Sequence, residues 1–363
     1  MKPYIVAIFN QKGGISKTTT STNLAVCLAA AGKSVALIDL DSQGDSTKSL
    51  GVDPEIRKGI YDAFIGDAEI NDIVVPTAFD NVHILPSTYN LAGIEIKLSE
   101  IKDSQRTLVN ILSGHDLNCD YVIVDCPPAL GILPINALAA ADAVIIPVTA
   151  TPYANDGLMR TLPSIKYVQE GLNKCLLLQG VLFTINDRKK TNRKINALIR
   201  SRLGGTVYHT EIPRDNNVIE AASAHLPVCA YAPLSPAGRA HLNFAYEFLE
   251  RHAKTAAKAG LDLPPPRTQE HAIRILASWR ENHARTMNQP LTENIKDQKT
   301  RLDKALYGNH SKIERLHLSL VHFFIENRAG FFIFLLSILA IFAIVIRASI
   351  SGIHIITAFM GIS

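Results

Sequence analysis

The residues best equipped for chemistry stand near the N-terminus. Lys12-Gly13-Gly14-Ile15-Ser16-Lys17-Thr18-Thr19 gathers two lysines, two glycines and three hydroxyls into one short run. A glycine-rich turn lets successive backbone N–H groups face one point, and a helix starting behind it adds its positive end, so the run reads as a phosphate cradle. In such a cradle Lys17 reaches the β and γ phosphates of a nucleotide and the Thr18 hydroxyl ligates Mg²⁺. The strict GxxxxGK[ST] pattern fails twice: Gln11 stands at its first glycine position and Ser16 at its second. If position 16 requires φ > 0, serine costs about 1 kcal/mol there and its Cβ crowds the phosphates.

Three acids complete the set. Asp39 and Asp41 fall in LIDLDSQGD, and Asp125 ends the apolar run YVIV and opens DCPPALG. Ligands of open α/β sheets bind beyond the carboxyl ends of the strands, which is where these acids fall. An isolated pair such as Asp39 and Asp41 could equally cap a helix or face solvent; beside this phosphate loop the site reading takes precedence. Asp125 has the Walker B arrangement, which holds Mg²⁺ directly or through water. Pro127 and Pro128 stiffen a loop suited to sensing a γ-phosphate.

The elements that must position these groups are legible as alternating runs. Residues 4–9 are strand-like, 17–31 helical with Gly32 as the stop, and 34–39 a second buried strand. Apolar runs at 121–124, 143–147 and 176–184, with helical stretches at 156–170 and 191–203, repeat the unit. This predicts one doubly wound, mostly parallel α/β domain of the P-loop NTPase type over residues 1–255.

The phosphate loop, with glycine usual where Ser16 stands, resembles the KGGxxKTT loop of the ParA/MinD family, and LIDLDSQGD and DCPPALG resemble the ParA forms of two further motifs, with Ser42 in place of a proline. Phe183 to Asp187, Ile212 to Arg214 and residues 220–243 extend the likeness over about residues 3–252. The resemblance implies an ATP- and Mg²⁺-dependent ATPase that dimerises around nucleotide. In that scheme Lys12 reaches the partner subunit's phosphates, Asp41 positions the attacking water, and Asp39 supports the Mg²⁺ shell with Thr18 and Asp125. Asn186 and Pro213 contact the adenine, and the loop from Lys12 to Thr19 wraps the phosphates. A ParB-like activator is the implied protein partner.

Arg188, Lys189, Lys190, Arg193, Lys194, Arg200 and Arg202 crowd one stretch with no acid among them. By charge alone this is a solvated helix face. With the resemblance it becomes a surface for non-specific DNA, expected to bind mainly phosphate and to be steeply salt-sensitive. The five cysteines, Cys27, Cys119, Cys126, Cys175 and Cys229, show no metal or disulfide spacing, as in a reducing compartment. No signal peptide is legible ahead of the first strand, so the ATPase domain is expected in the cytoplasm.

Composition changes after Lys254. Pro264 to Pro266 form a stiff break, and 256–328 reads as linker and polar helical segment, with Leu302, Leu306 and Ile313 at helical spacing. Residues 329–346, AGFFIFLLSILAIFAIVI, carry no charge. As a helix they span about 27 Å, close to the hydrocarbon thickness, and predict a transmembrane helix followed by an apolar tail at 347–363. Lys304, Lys312, Arg315 and Arg328 precede the run and Arg347 follows it, which orients the ATPase domain to the cytoplasm. The leading expectation is a DNA-partitioning or DNA-positioning ATPase. The alternative is a MinD-type membrane-positioning switch that recruits a protein rather than DNA. A tyrosine autokinase ranks last, because no tyrosine-rich tail is present.

Overall fold

A computed structural model describes residues 2–53, 56, 58–115, 117–149, 154–187 and 189–288. One compact unit runs Met1–Thr286, and a second, Met287–Ser363, falls almost wholly outside the described residues. The segments at 293–316, 329–346 and 347–363 are among those outside. Among the described residues, no helix is long and apolar enough to cross a membrane.

Eight strands form the sheet: β1 Tyr4–Ile8, β2 Val35–Asp39, β3 Val75–Pro76, β4 Val82–Leu85, β5 Tyr121–Asp125, β6 Ala143–Thr149, β7 Leu177–Asn186 and β8 Val207–Pro213. Their order is β3-β4-β2-β5-β1-β6-β7-β8, and only the short edge pair β3–β4 is antiparallel. Parallel strands need crossovers that cover both faces, so their side chains are buried on both sides. Alternation along β1 shows this: Ile5 and Ala7 enter one core layer, Val6 and Ile8 the other. Helices Lys17–Ala30, Pro236–Lys258 and Gln269–Asn288 pack on the second layer, while Ile132–Ala140, Ala154–Gly171 and Lys190–Leu203 pack on the first.

The expected strands and helices of the central unit all form, within a few residues of the expected bounds. Gly32, at φ 91°, ends helix Lys17–Ala30: its N–H reaches the Ala29 carbonyl and the Lys33 N–H reaches Leu28. That left-handed step suits glycine and satisfies carbonyls the helix end leaves open.

The compact unit extends past residue 255. The proline segment is not free linker: Lys33 Nζ donates to the Pro264 carbonyl at 2.6 Å and the Arg267 N–H to Ala31 at 2.9 Å. Helix Gln269–Asn288 then buries Ala272, Leu276 and Trp279. The Trp279 ring meets Phe79 edge-on at 5.5 Å, and its indole N–H donates to Asp80 at 3.2 Å.

Candidate functional site

Parallel pairing sets the site. Asp39 at the end of β2 is in register with Asp125 at the end of β5, and Ile8 at the end of β1 pairs with Asp125 from the other side. The loop from Phe9 to Ser16 leaves β1 at this line of strand ends and turns into helix Lys17–Ala30. Its turn needs two left-handed residues, Gly14 at φ 68° and Ser16 at φ 67°. Position 16 therefore does require the conformation that serine resists.

The loop is held from behind. Asn10, buried, donates its amide to the Pro147 carbonyl at 2.8 Å and accepts from the Lys12 N–H at 3.0 Å and the Thr161 hydroxyl at 3.1 Å. Thr184 on β7 donates to the Ile15 carbonyl at 3.0 Å. Lys17 folds back so that its ammonium donates to the Lys12 carbonyl at 3.1 Å, with only 7% of the residue exposed. Burial lowers the Lys17 pKa, opposed by the nearby Asp125, Cys126 and Asp41. A desolvated ammonium folded onto a glycine-bearing loop at a helix N-terminus favours a polyanion.

Asp125 accepts hydrogen bonds from Ser21 at 2.9 Å and Ser46 at 2.7 Å, and the Thr18 hydroxyl also bonds it. Asp39 accepts from both the N–H and the hydroxyl of Thr47, at 2.9 and 2.7 Å, and from the Asp41 N–H at 3.1 Å. Both carboxylates are fully buried, and burial raises both pKa values. For Asp39 the neighbouring Asp125 charge adds to the rise. Two buried acids side by side favour a cation. Among the described residues, no group of three or more His, Cys, Asp or Glu side chains could hold a metal alone. Mg²⁺ is typically held through one or two carboxylates, its shell completed by substrate phosphate and water. Asp41, at the rim and half-buried, is tied by its carboxylate to the Gln43 N–H at 3.1 Å.

The sequence did not single out Asn10, Ser21, Ser46, Thr47 or Thr184. Ser21 was findable: it lies one helical turn after Lys17, on the same face. Ser46 and Thr47 directly follow DSQGD, but their link to acids on neighbouring strands depends on the sheet register.

Asn186 and Pro213 are brought together as register partners at the ends of β7 and β8. Asn186 is buried, and its side-chain amide donates to Glu211. Of the basic residues, Lys190, Arg193, Lys194 and Arg202 are exposed on helix Lys190–Leu203. Lys189 is paired with Asp187 at 2.8 Å. Arg200 departs from the expected DNA face: it bonds Glu211 at 2.9 Å and lies over the Phe183 ring at 5.2 Å. Arg188 is outside the described residues.

A family model described as an AAA domain matches residues 3–178. The sporulation initiation inhibitor protein Soj of Bacillus subtilis is 42% identical over 246 residues, covering 67% of this chain and 97% of that protein. The chromosome partitioning protein ParA of Caulobacter vibrioides is 37% identical over 259 residues, covering 70% and 97%. Among solved structures, the cobyrinic acid a,c-diamide synthase of Mycobacterium smegmatis with bound ADP and magnesium superimposes with a TM-score of 0.60. It is 32% identical and covers 72% of this chain and 98% of its own.

Proposed function

The chain belongs to the ParA/MinD family of ATPases, and from that premise we propose that it is an ATP-driven dimerising switch that positions DNA. The observation that carries the reading is the meeting of Asp39 and Asp125 at one line of strand ends with Lys17, whose ammonium folds back onto the Lys12 carbonyl of the glycine-bearing loop. Gly13 to Thr19 cradle the phosphates, and Lys17 neutralises the β and γ oxygens. Thr18 and Asp125 would hold Mg²⁺, with Asp39 behind them. Bound Mg²⁺ would supply positive charge that offsets the negative charge of the triphosphate. Asp41 orients the attacking water, Lys12 reaches the partner subunit's nucleotide, and Asn186 and Pro213 hold the base. Hydrolysis removes the γ-phosphate that the Pro127–Pro128 loop reads, and the dimer relaxes.

In the ATP state, Lys190, Arg193, Lys194 and Arg202 of two subunits meet DNA phosphates. Lys189 shares its charge with Asp187 and contributes less. A ParB-like activator stimulates turnover. The apolar run at 329–346 tethers the cytoplasmic domain to the membrane. Gel shifts of the full chain in detergent test this. Binding that needs ATP and weakens on the order of 10³-fold from 50 to 200 mM salt is expected. Lys17→Ala should lose ATP retention and the shift together. The apolar run gives the MinD-type reading its one specific support. ATP-dependent vesicle recruitment with no DNA shift at low salt would establish that reading instead.

A further inference from the structure

Arg200 stands on the basic helix yet turns toward the sheet. Its guanidinium donates to Glu211 Oε1 at 2.9 Å, while the other oxygen of the same carboxylate takes the Asn186 amide. One carboxylate on β8 thus bonds two donors, one at the base-binding end of β7 and one on helix Lys190–Leu203. Arg200 also lies over the ring of Phe183, three residues before Asn186 on β7. Asn186 itself follows Ile185, a β-branched residue at φ 52°, where left-handed backbone is strained. Such strain persists only where surrounding bonds hold it. Here the Arg214 N–H donates to the Asn186 carbonyl at 3.1 Å, and Glu211 takes the side chain.

A carboxylate split between two donors responds when one of them changes. If the base engages the Asn186 amide, Glu211 turns more fully to Arg200, and a charge-assisted pair tightens. We propose that Glu211 and Arg200 are positioning residues that carry nucleotide occupancy at Asn186 to helix Lys190–Leu203, which then presents Lys190, Arg193, Lys194 and Arg202 to an anionic polymer. The inference rests on the base contact and DNA surface proposed above. It assigns Arg200 to coupling, not to DNA contact. Coupling is reciprocal: DNA must tighten ATP binding by the same factor that ATP tightens DNA binding.

The test uses the full chain in detergent, with two readouts. The first is hydrogen exchange of amides 190–203 with and without ATP; the second is affinity for a short DNA duplex with and without ATP. In the parent protein ATP slows exchange in the helix and tightens DNA binding roughly 5–150-fold. Glu211→Gln and Arg200→Met each abolish the exchange response and bring the affinity ratio to within about twofold. Arg200→Lys restores part of both. Lys194→Ala weakens DNA binding with and without ATP and leaves the ratio unchanged. The proposal is overturned if Arg200→Met behaves like Lys194→Ala, or if exchange in Glu211→Gln responds to ATP as in the parent. It is also overturned if the parent helix shows no response. A parent protein that binds no DNA at low salt removes the DNA reading, while the exchange readout still decides whether the relay exists.

Discussion

Ser16 is where one side chain sets the tone of the site. It holds φ 67° at the start of the phosphate-loop helix and makes no side-chain cap. A left-handed serine costs about 1–2 kcal/mol, and a glycine replacement gives back about 0.4–1 kcal/mol through the freer unfolded chain. Ser16→Gly should therefore raise stability by about 0–1.6 kcal/mol. The larger effect belongs to binding, because removing Cβ lets the N–H groups close on phosphate without crowding. We expect ATP affinity to rise by roughly 3–10-fold, the equivalent of about 1 kcal/mol, or turnover to rise by a similar factor. Titration with a fluorescent ATP analogue and a phosphate-release assay check this; equal values for parent and variant would refute it. Lysine, aspartate and glycine types, with their spacing, made the loop and its acids legible in the sequence. Of the hydroxyls that bind those acids Thr18 was legible too, but Ser46 was not, since it reaches Asp125 only because β2 and β5 run side by side in register.

Helix Pro236–Lys258 carries two histidines into the core. His241 is fully buried, and among the described residues neither ring nitrogen has a hydrogen-bond partner. His252 packs on Tyr4 at 3.8 Å and bonds the Tyr121 hydroxyl at 3.0 Å. Burial lowers the His241 pKa from 6.5 to about 3 and lowers His252 to about 4, where Lys33 adds repulsion. Between those values and 6.5 the unfolded chain binds more protons than the native one, so stability rises with pH across this window and is lost on acidification. For His241 the loss on going from pH 7 to pH 5 is about 2 kcal/mol. His241→Leu should remove that loss and, by relieving two unbonded nitrogens, leave the protein at least as stable at pH 7. Thermal melts of parent and variant at both pH values measure it; an unchanged pH dependence would count against it. At this scale the sequence was most readable where apolar runs were long, as in β1, β5 and β6. It was least readable where strands are two to four residues long, as in β3 and β4, or where β8 mixes His209, Thr210 and Glu211 into its run. There the pairing partner, not local pattern, makes the strand.

At the scale of the molecule the question is what the chain adds to its family's domain. The Soj match spans 246 residues, whereas the compact unit here ends at Thr286. The added helix is integral to the fold: Trp279→Ala should cost about 3–5 kcal/mol by leaving a cavity against Phe79 and Asp80. A drop in Tm on the order of 10 °C would show this, and a drop below about 2 °C would not. Sequence reading ended the domain too early because the Pro264–Pro266 run looks like free linker, and its docking through Lys33 and Ala31 has no local signature. Residues 329–346 form an uncharged apolar run. A tether of this kind would confine DNA capture to the membrane surface, a different search geometry from free diffusion. After cell lysis the full chain should sediment with membranes, resist high salt and be released by detergent. The same chain ending at residue 328 should stay in the supernatant and still bind ATP. Full-length protein recovered in the supernatant without detergent would remove the tether and return the switch to free diffusion.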